Sequence, residues 1–76
     1  MADRLQKIIG TTLRRERELH RLTQAQLAAR AGVSQATVAR VETGDRSPSL
    51  AMVGRLLAVL GSQLTVGVEP LDAEVD

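Results

Sequence analysis

Residues 22–44 read LTQAQLAARAGVSQATVARVETG, and this stretch holds the start and stop signals of two short helices. Thr23 and Gln26 have the spacing of a capping box, in which the threonine hydroxyl accepts from an early amide and the glutamine side chain accepts from the amide of the cap. The first helix therefore begins at Gln24. It ends at Gly32, because glycine adopts the left-handed backbone of a helix C-terminus without steric cost.

A second helix follows after a turn of three residues. Ser34 is a favoured N-cap, so we expect this helix to run from Ser34 to about Thr43 and to end at Gly44. Two helices joined so closely cross steeply and need small side chains where they touch. Ala28 and Gly32 supply them.

Another helix precedes this pair. Residues 5–13 have apolar side chains at the i, i+3, i+4 and i+8 spacing of one helix face, which predicts an amphipathic helix that ends near His20. Its apolar positions are Leu5, Ile8, Ile9 and Leu13. From the helix pair we expect the core to include Leu27, Val33, Val38 and Val41.

A fourth helix is predicted from Leu50 to Leu60, between the N-cap Ser49 and Gly61. It is apolar on more than one side, so we expect it to pack on its own core and on a partner molecule. The two apolar stripes are Leu50, Val53, Leu57 and Leu60, and, toward the partner, Met52, Leu56 and Val59.

The period changes from 3.6 to 2 after Gly61. Residues 63–69 alternate polar and apolar side chains until Pro70, which predicts a single strand. A lone strand leaves its backbone groups unpaired, so we expect it to pair with its twin in a two-fold dimer. The predicted organisation is a helical domain over residues 1–61, a dimerisation strand over 62–70 and an acidic, disordered tail over 71–76.

The composition limits the kinds of site that the chain can hold. A domain of 76 residues needs a disulfide, a metal or a partner to stabilise its small core. With no cysteine and one histidine, the chain lacks a disulfide and has too few ligands for a structural zinc site. The absence of aromatic residues excludes the base stacking used by single-strand binders. Oligomerisation therefore remains as the means of stabilising the core, and recognition of duplex DNA remains possible.

Charge is divided unevenly along the chain. Residues 1–55 contain all ten basic residues and five acidic ones, whereas residues 56–76 contain four acidic residues and no basic one. A basic body suggests a surface for nucleic acid. We expect no signal peptide and no membrane span, because residues 1–7 carry charges of both signs and no stretch approaches ~20 apolar residues. The expected location is the cytoplasm, at the nucleoid.

An enzymatic function is not predicted. His20 is the one imidazole, and the glycines show neither phosphate-loop nor dinucleotide-binding spacing. Glu16 and Glu18 lie two apart on a helix and so point in different directions. We therefore expect no catalytic residue, no metal and no cofactor.

The motif of residues 22–44 resembles the Cro-like phage-repressor helix-turn-helix family, also called the xenobiotic-response-element family. The hallmark L-T-Q, L-A, A-G-V-S and E-x-G elements occur in register. Ala28, Gly32 and Val38 stand at the fifth, ninth and fifteenth places of the motif counted from Gln24. The resemblance covers residues 5–61 and implies a mostly α, four-helix repressor domain whose third helix enters the major groove.

The resemblance also implies roles for particular side chains. Base edges would be read from the start of the third helix by Gln35, Ala36, Thr37 and Arg40. Phosphates would be held by Thr23, Gln24, Ser34, Thr43 and Arg46. Arg17 and Glu42 match the positions of a structural ion pair in the family. Arg21 departs from the family, which often has glycine or another turn-former there.

The C-terminal segment LGSQLTVGVEP is similar to HipB-like antitoxins, whose terminal strand pairs with its twin. This implies a homodimeric repressor on an inverted-repeat operator, preferably an autoregulating antitoxin that also binds a toxin protein. The dimer interface would comprise Met52, Leu56, Val59, Leu64, Val66 and Val68. Two alternatives stay open, a stand-alone phage-type or metabolic regulator and a protein-interaction module with incidental DNA binding.

Overall fold

The computed structural model describes residues 2–61, and this part of the chain folds into four helices. They are α1 (Ala2–Leu19), α2 (Gln24–Ala31), α3 (Gln35–Thr43) and α4 (Leu50–Val59). The mostly helical architecture predicted from the sequence is confirmed over these residues. The predicted strand and tail, and with them the interface candidates Leu64, Val66 and Val68, lie outside the described residues.

Local hydrogen bonds fix the ends of α2 and α3. Thr23 Oγ1 accepts from the Gln26 amide at 3.0 Å, and Gln26 Oε1 accepts from the Thr23 amide at 2.9 Å, so both halves of the capping box are formed. Ser34 Oγ accepts from the Thr37 amide at 3.0 Å. Gly32 closes α2 in the left-handed conformation, with φ 73°. These caps confine the connection between the two helices to residues 32–34.

The core lies where α3 packs against α1 and α2, and where α2 packs against α4. Its largest fully buried side chains are Leu27, Val38, Val41, Leu56 and Leu60. Leu13, Ala28 and Ala31 complete it. Val33, which the sequence places in the core, is only partly buried at its margin, because it belongs to the tight turn between the two helices.

The face of α4 that meets the core differs from the prediction. Val53, Leu56 and Leu60 point inward, along a line between the two predicted stripes. Leu56 is fully buried in its own chain, so the prediction that it contacts a partner was wrong. Leu50, at the start of the first stripe, is 67% exposed. A helix that is apolar around most of its circumference has no unique inward direction in its sequence.

The chain leaves α1 through a left-handed residue. Arg21 has φ 57°, and the Leu22 amide donates to the Arg17 carbonyl at 3.2 Å, which closes the end of the helix. A residue with a β-carbon pays about 1–2 kcal/mol for this conformation. Arg21, where the family often has glycine, therefore still forms the turn that ends α1, but with a strained backbone conformation.

Gly10 allows α1 to approach α3 closely. A β-carbon at this position would lie closer than 3.0 Å to the carbonyl oxygens of Val41 and Glu42, which are backbone atoms and cannot rotate away. Arg17 follows two helical turns later and so shares the face of α1 that meets α3. The close contact at Gly10 was not predicted from the sequence. A glycine inside an amphipathic helical pattern was the available sign of a close contact.

We predict that Gly10→Ala lowers the free energy of unfolding by about 1–3 kcal/mol, because the new methyl group overpacks the contact between α1 and α3. Gly54→Ala is the matched control. Gly54 also lies inside a helix but has nothing within 4 Å of the added β-carbon, so a gain of about 0.5–1 kcal/mol is expected. Urea unfolding followed by circular dichroism measures both. Equal stability of the two variants would contradict the close approach.

Candidate nucleic-acid interface

α3 is anchored on one side and exposed on the other. Val38 and Val41 are fully buried, whereas Gln35, Ala36 and Arg40 are exposed. A helix about 10–12 Å across fits the major groove of B-DNA, which is about 12 Å wide. The exposed side of α3 can therefore meet base edges without disturbing the core.

A loop arginine is held beside the first turn of α3. Arg46 Nη1 donates to Thr37 Oγ1 at 3.3 Å, and the Arg46 amide donates to the Arg40 carbonyl at 3.2 Å. The Thr37 hydroxyl also lies 2.8 Å from Ser34 Oγ. The structure thus brings together Ser34, Thr37 and Arg46. Because the Thr37 hydroxyl already has two protein partners, Gln35 and Ala36 are the freer groups of this turn.

The other predicted phosphate contacts lie at the start of α2 and the end of α3. The amides of Gln24 and Ala25 have no acceptor within their helix, and the helix dipole there favours an anion. The Gln24 side chain points inward, where its Nε2 donates to Glu42 Oε1 at 3.0 Å. Thr43 is exposed and its hydroxyl donates to the Arg40 carbonyl at 3.2 Å. The bond between Gln24 and Glu42, which are 18 residues apart, was not predicted from the sequence.

Arg17 and Glu42 form a bidentate ion pair between α1 and α3. Arg17 Nε donates to Glu42 Oε2 at 2.6 Å, and Nη2 donates to Oε1 at 3.0 Å. Arg17 Nη1 donates to the Leu22 carbonyl at 2.7 Å, just before α2. The Arg17 side chain is 11% exposed and that of Glu42 is 2% exposed. Both Glu42 oxygens and three guanidinium N–H groups are therefore satisfied inside the protein.

The surroundings of Arg17 favour its charged form. The hydrogen bond to Glu42 raises the pKa of the guanidinium above its ordinary value, while burial acts in the opposite direction. A raised pKa in the folded state means that the stabilising contribution is fully present below the ordinary pKa of arginine. Arg17 therefore keeps its positive charge throughout the pH range in which proteins are usually studied.

Within residues 4–61, every buried side-chain nitrogen or oxygen has a hydrogen-bond partner. The same part of the chain holds no cluster of three His, Cys, Asp or Glu residues that could bind a metal ion. None of the four described helices is both long and apolar enough to span a bilayer. The exposed side of α3, with Gln35 and Arg40, and the first amides of α2 keep hydrogen-bonding groups available for a ligand.

Comparisons of the sequence with known proteins identify helix-turn-helix relatives. A family model described as helix-turn-helix matches residues 13–66, which is more than half of the chain. A protein of Methanothermobacter thermautotrophicus, described as an uncharacterized HTH-type transcriptional regulator, is 36% identical over 64 residues. That match covers 84% of this chain and 93% of the archaeal protein.

We predict that Arg17→Met destabilises the domain by about 3–5 kcal/mol, because Glu42 would keep a buried charge without its main partner. That is a large part of the stability of a small domain. The double variant Arg17→Met with Glu42→Leu should recover most of the loss, since both charges are then gone. Thermal unfolding measures each variant.

The control is Arg14→Met, which breaks the exposed pair between Arg14 and Glu18 on the same helix. Exposed pairs contribute about 0–1 kcal/mol, so a small effect is expected. A loss in Arg17→Met no larger than that in Arg14→Met would show that the buried pair does not hold α3 to α1.

Proposed function

This chain belongs to the helix-turn-helix family of the xenobiotic-response-element type, and we propose that it is a sequence-specific transcriptional repressor acting as a homodimer. Proteins of this family are DNA-binding transcription regulators. The observation that carries the proposal is the arrangement of α3, whose capped first turn exposes Gln35 and Ala36 beside Arg46 while its opposite side is locked into the core.

Base readout is assigned to the exposed side of α3. The Gln35 amide can donate to N7 and accept from N6 in the bidentate pairing with adenine, and Ala36 can contact a thymine methyl group. Arg40, one turn further, can donate to O6 and N7 of guanine. Thr37 acts mainly by holding Arg46, since its hydroxyl is already bonded within the protein.

Phosphate contacts would position α3 in the groove without reading sequence. On one flank we assign the free amides at the start of α2, together with the side chain of Thr23. Gln24 contributes through its backbone amide, because its side chain is bonded to Glu42. On the other flank we assign Arg46, with the hydroxyl groups of Ser34 and Thr43. The basic excess of residues 1–55 supports this surface and makes its affinity dependent on salt.

The homodimer is proposed from α4 and from the alternating segment that follows it. Met52 and Val59 are partly buried on α4 and retain surface for a partner. Leu64, Val66 and Val68 would complete the interface by antiparallel strand pairing. Two α3 helices related by a two-fold axis would read an inverted repeat whose half-sites are about one helical turn apart, or a multiple of it.

An autorepressing antitoxin is the elaboration that we prefer. It rests on the predicted dimerisation strand, which would directly follow a four-helix DNA-binding domain, and it would add a toxin protein as a second partner. A stand-alone phage-type or metabolic regulator would use the same DNA contacts. A pure interaction module would need neither the capped α3 nor the excess of basic residues. Binding to chromosomal DNA would place the protein in the cytoplasm, at the nucleoid.

We predict that Gln35→Ala weakens binding to a duplex selected for this protein by about 1–3 kcal/mol, because one bidentate base contact is lost. Binding to unrelated duplex DNA should be unchanged, since the phosphate contacts remain. Gln6→Ala, a glutamine on α1 outside the proposed interface, is the control. Fluorescence anisotropy measures both. If the selected duplex bound Gln35→Ala as tightly as the unaltered chain, base readout by Gln35 would be excluded.

We predict that the full chain sediments at twice its mass of 8.2 kDa and that Val66→Pro sediments as a monomer. Proline removes the backbone N–H that the strand needs for pairing. Val66→Thr, which keeps the N–H and the β-branched shape, should remain dimeric. Sedimentation equilibrium distinguishes the two masses. A dimer that survives Val66→Pro would rule out strand pairing as its basis.

A further inference from the structure

An apolar groove runs between α1 and α4 and opens onto the core. It is lined by Ile8, Ile9 and Leu13 of α1, by Val53 and Leu57 of α4, and by Val41 at its floor. Its cavity of about 140 Å³ is similar in size to an engineered apolar cavity that binds benzene. An aliphatic side chain or two can therefore enter it.

The α1 wall of the groove exposes large aliphatic side chains. Ile8 is 55% exposed and Leu5, one turn earlier on the same face, is 58% exposed. Single exposed apolar residues are common on protein surfaces, but a continuous exposed row beside an open apolar groove marks a docking site. The lining predicts an apolar occupant.

The chain itself continues from the edge of this groove. Leu57 lines it, and Gly61, one helical turn later, has φ 70°, a left-handed conformation that redirects the chain at the helix end. Residues 62–76 follow and, fully extended, could span about 50 Å. The helix-turn-helix match extends to residue 66, so the family's domain includes residues beyond α4.

We propose that residues 64–68 occupy the groove of their own chain, with Leu64, Val66 and Val68 facing Ile8 and Leu57. Residues at alternate positions of an extended segment share one face, so these three side chains form an apolar face and leave Thr65 on the polar one. The same chain is favoured over a second copy because Gly61 ends α4 within one turn of the groove.

In this position the proposed dimerisation strand would pack its apolar side chains on α1 and α4. One of its backbone edges would remain free to pair with the same strand of a second chain. This docking deepens the dimer model and is independent of the DNA contacts. Loss of docking with retained DNA binding would reject this inference alone, whereas absence of specific DNA binding with docking intact would reject the proposed repressor alone.

The isoleucines provide a direct probe, because Ile8 and Ile9 are the only two in the sequence and both line the groove. In the full chain, labelled on isoleucine, leucine and valine methyl groups, we expect nuclear Overhauser effects between the Ile8 or Ile9 δ1-methyl and the methyl groups of Leu64, Val66 or Val68. Absence of all such contacts would overturn the proposal.

Mixed labelling identifies the chain that fills the groove. One population of chains is labelled only on isoleucine and the other only on leucine and valine, and the two are combined into dimers. We expect no contacts between Ile8 or Ile9 and residues 64–68 in the mixture. Contacts that appear there would show that the twin's segment fills the groove and would overturn the assignment to the same chain.

A matched pair of substitutions gives a second measurement. Val66→Asp places a charge on the apolar face of the segment, and Thr65→Asp places the same charge on the opposite face. We expect Val66→Asp to shift the Ile8 and Ile9 methyl resonances, and Thr65→Asp to leave them unchanged. Equal shifts, or no shift in either variant, would contradict the proposed face. Circular dichroism of both variants confirms that α1 to α4 remain folded.

Discussion

The bidentate ion pair between Arg17 and Glu42 determines how α3 sits on the rest of the domain. One guanidinium bonds to α3, through Glu42, and to the carbonyl of Leu22 ahead of α2, while Gln24 at the start of α2 bonds to the same carboxylate. Burying two charges is costly, and apolar replacements of both can be equally stable. We therefore interpret the pair as a directional constraint. The directional hydrogen bonds of the pair fix the position of α3 relative to α1 and α2. A purely apolar contact has no such directional requirement and would allow α3 to shift.

That constraint separates the two sides of α3. The buried side is fixed by Val38, Val41 and Glu42. Residues on the exposed side make no core contacts, so they can vary to suit a DNA sequence without loss of packing. This exposed side has few hydrogen-bonding groups, since Ala36 offers only a methyl group and the Thr37 hydroxyl is bonded to its neighbours. Base contacts would then come from few residues. Specificity would depend in part on DNA shape and on the spacing of two half-sites in a dimer.

The features that the sequence predicts well are those determined by neighbouring residues. The caps at Thr23, Ser34 and Ser49 and the left-handed Gly32 depend on a few adjacent positions, and all are formed. Contacts between distant residues were harder to predict. On α4, Leu56 was assigned wrongly to a partner contact, because the apolar residues of this helix leave several packing directions open. Similarly, the close approach at Gly10 and the bond from Arg46 to Thr37 arise only once helices and loop are assembled.

If α3, held by Arg17 and Glu42, reads duplex DNA, the protein selects particular sequences from a mixture of duplexes. Selection from a random duplex library with the full chain, at a near-physiological ionic strength of about 0.15 M, tests it most directly. At low salt the basic surface would bind duplex DNA of any sequence, because its contacts with phosphates would be weakly screened. We predict enrichment of an inverted repeat with half-sites about one helical turn apart, or a multiple of it. Recovery of no consensus from a folded protein would contradict it and would favour a protein-interaction module.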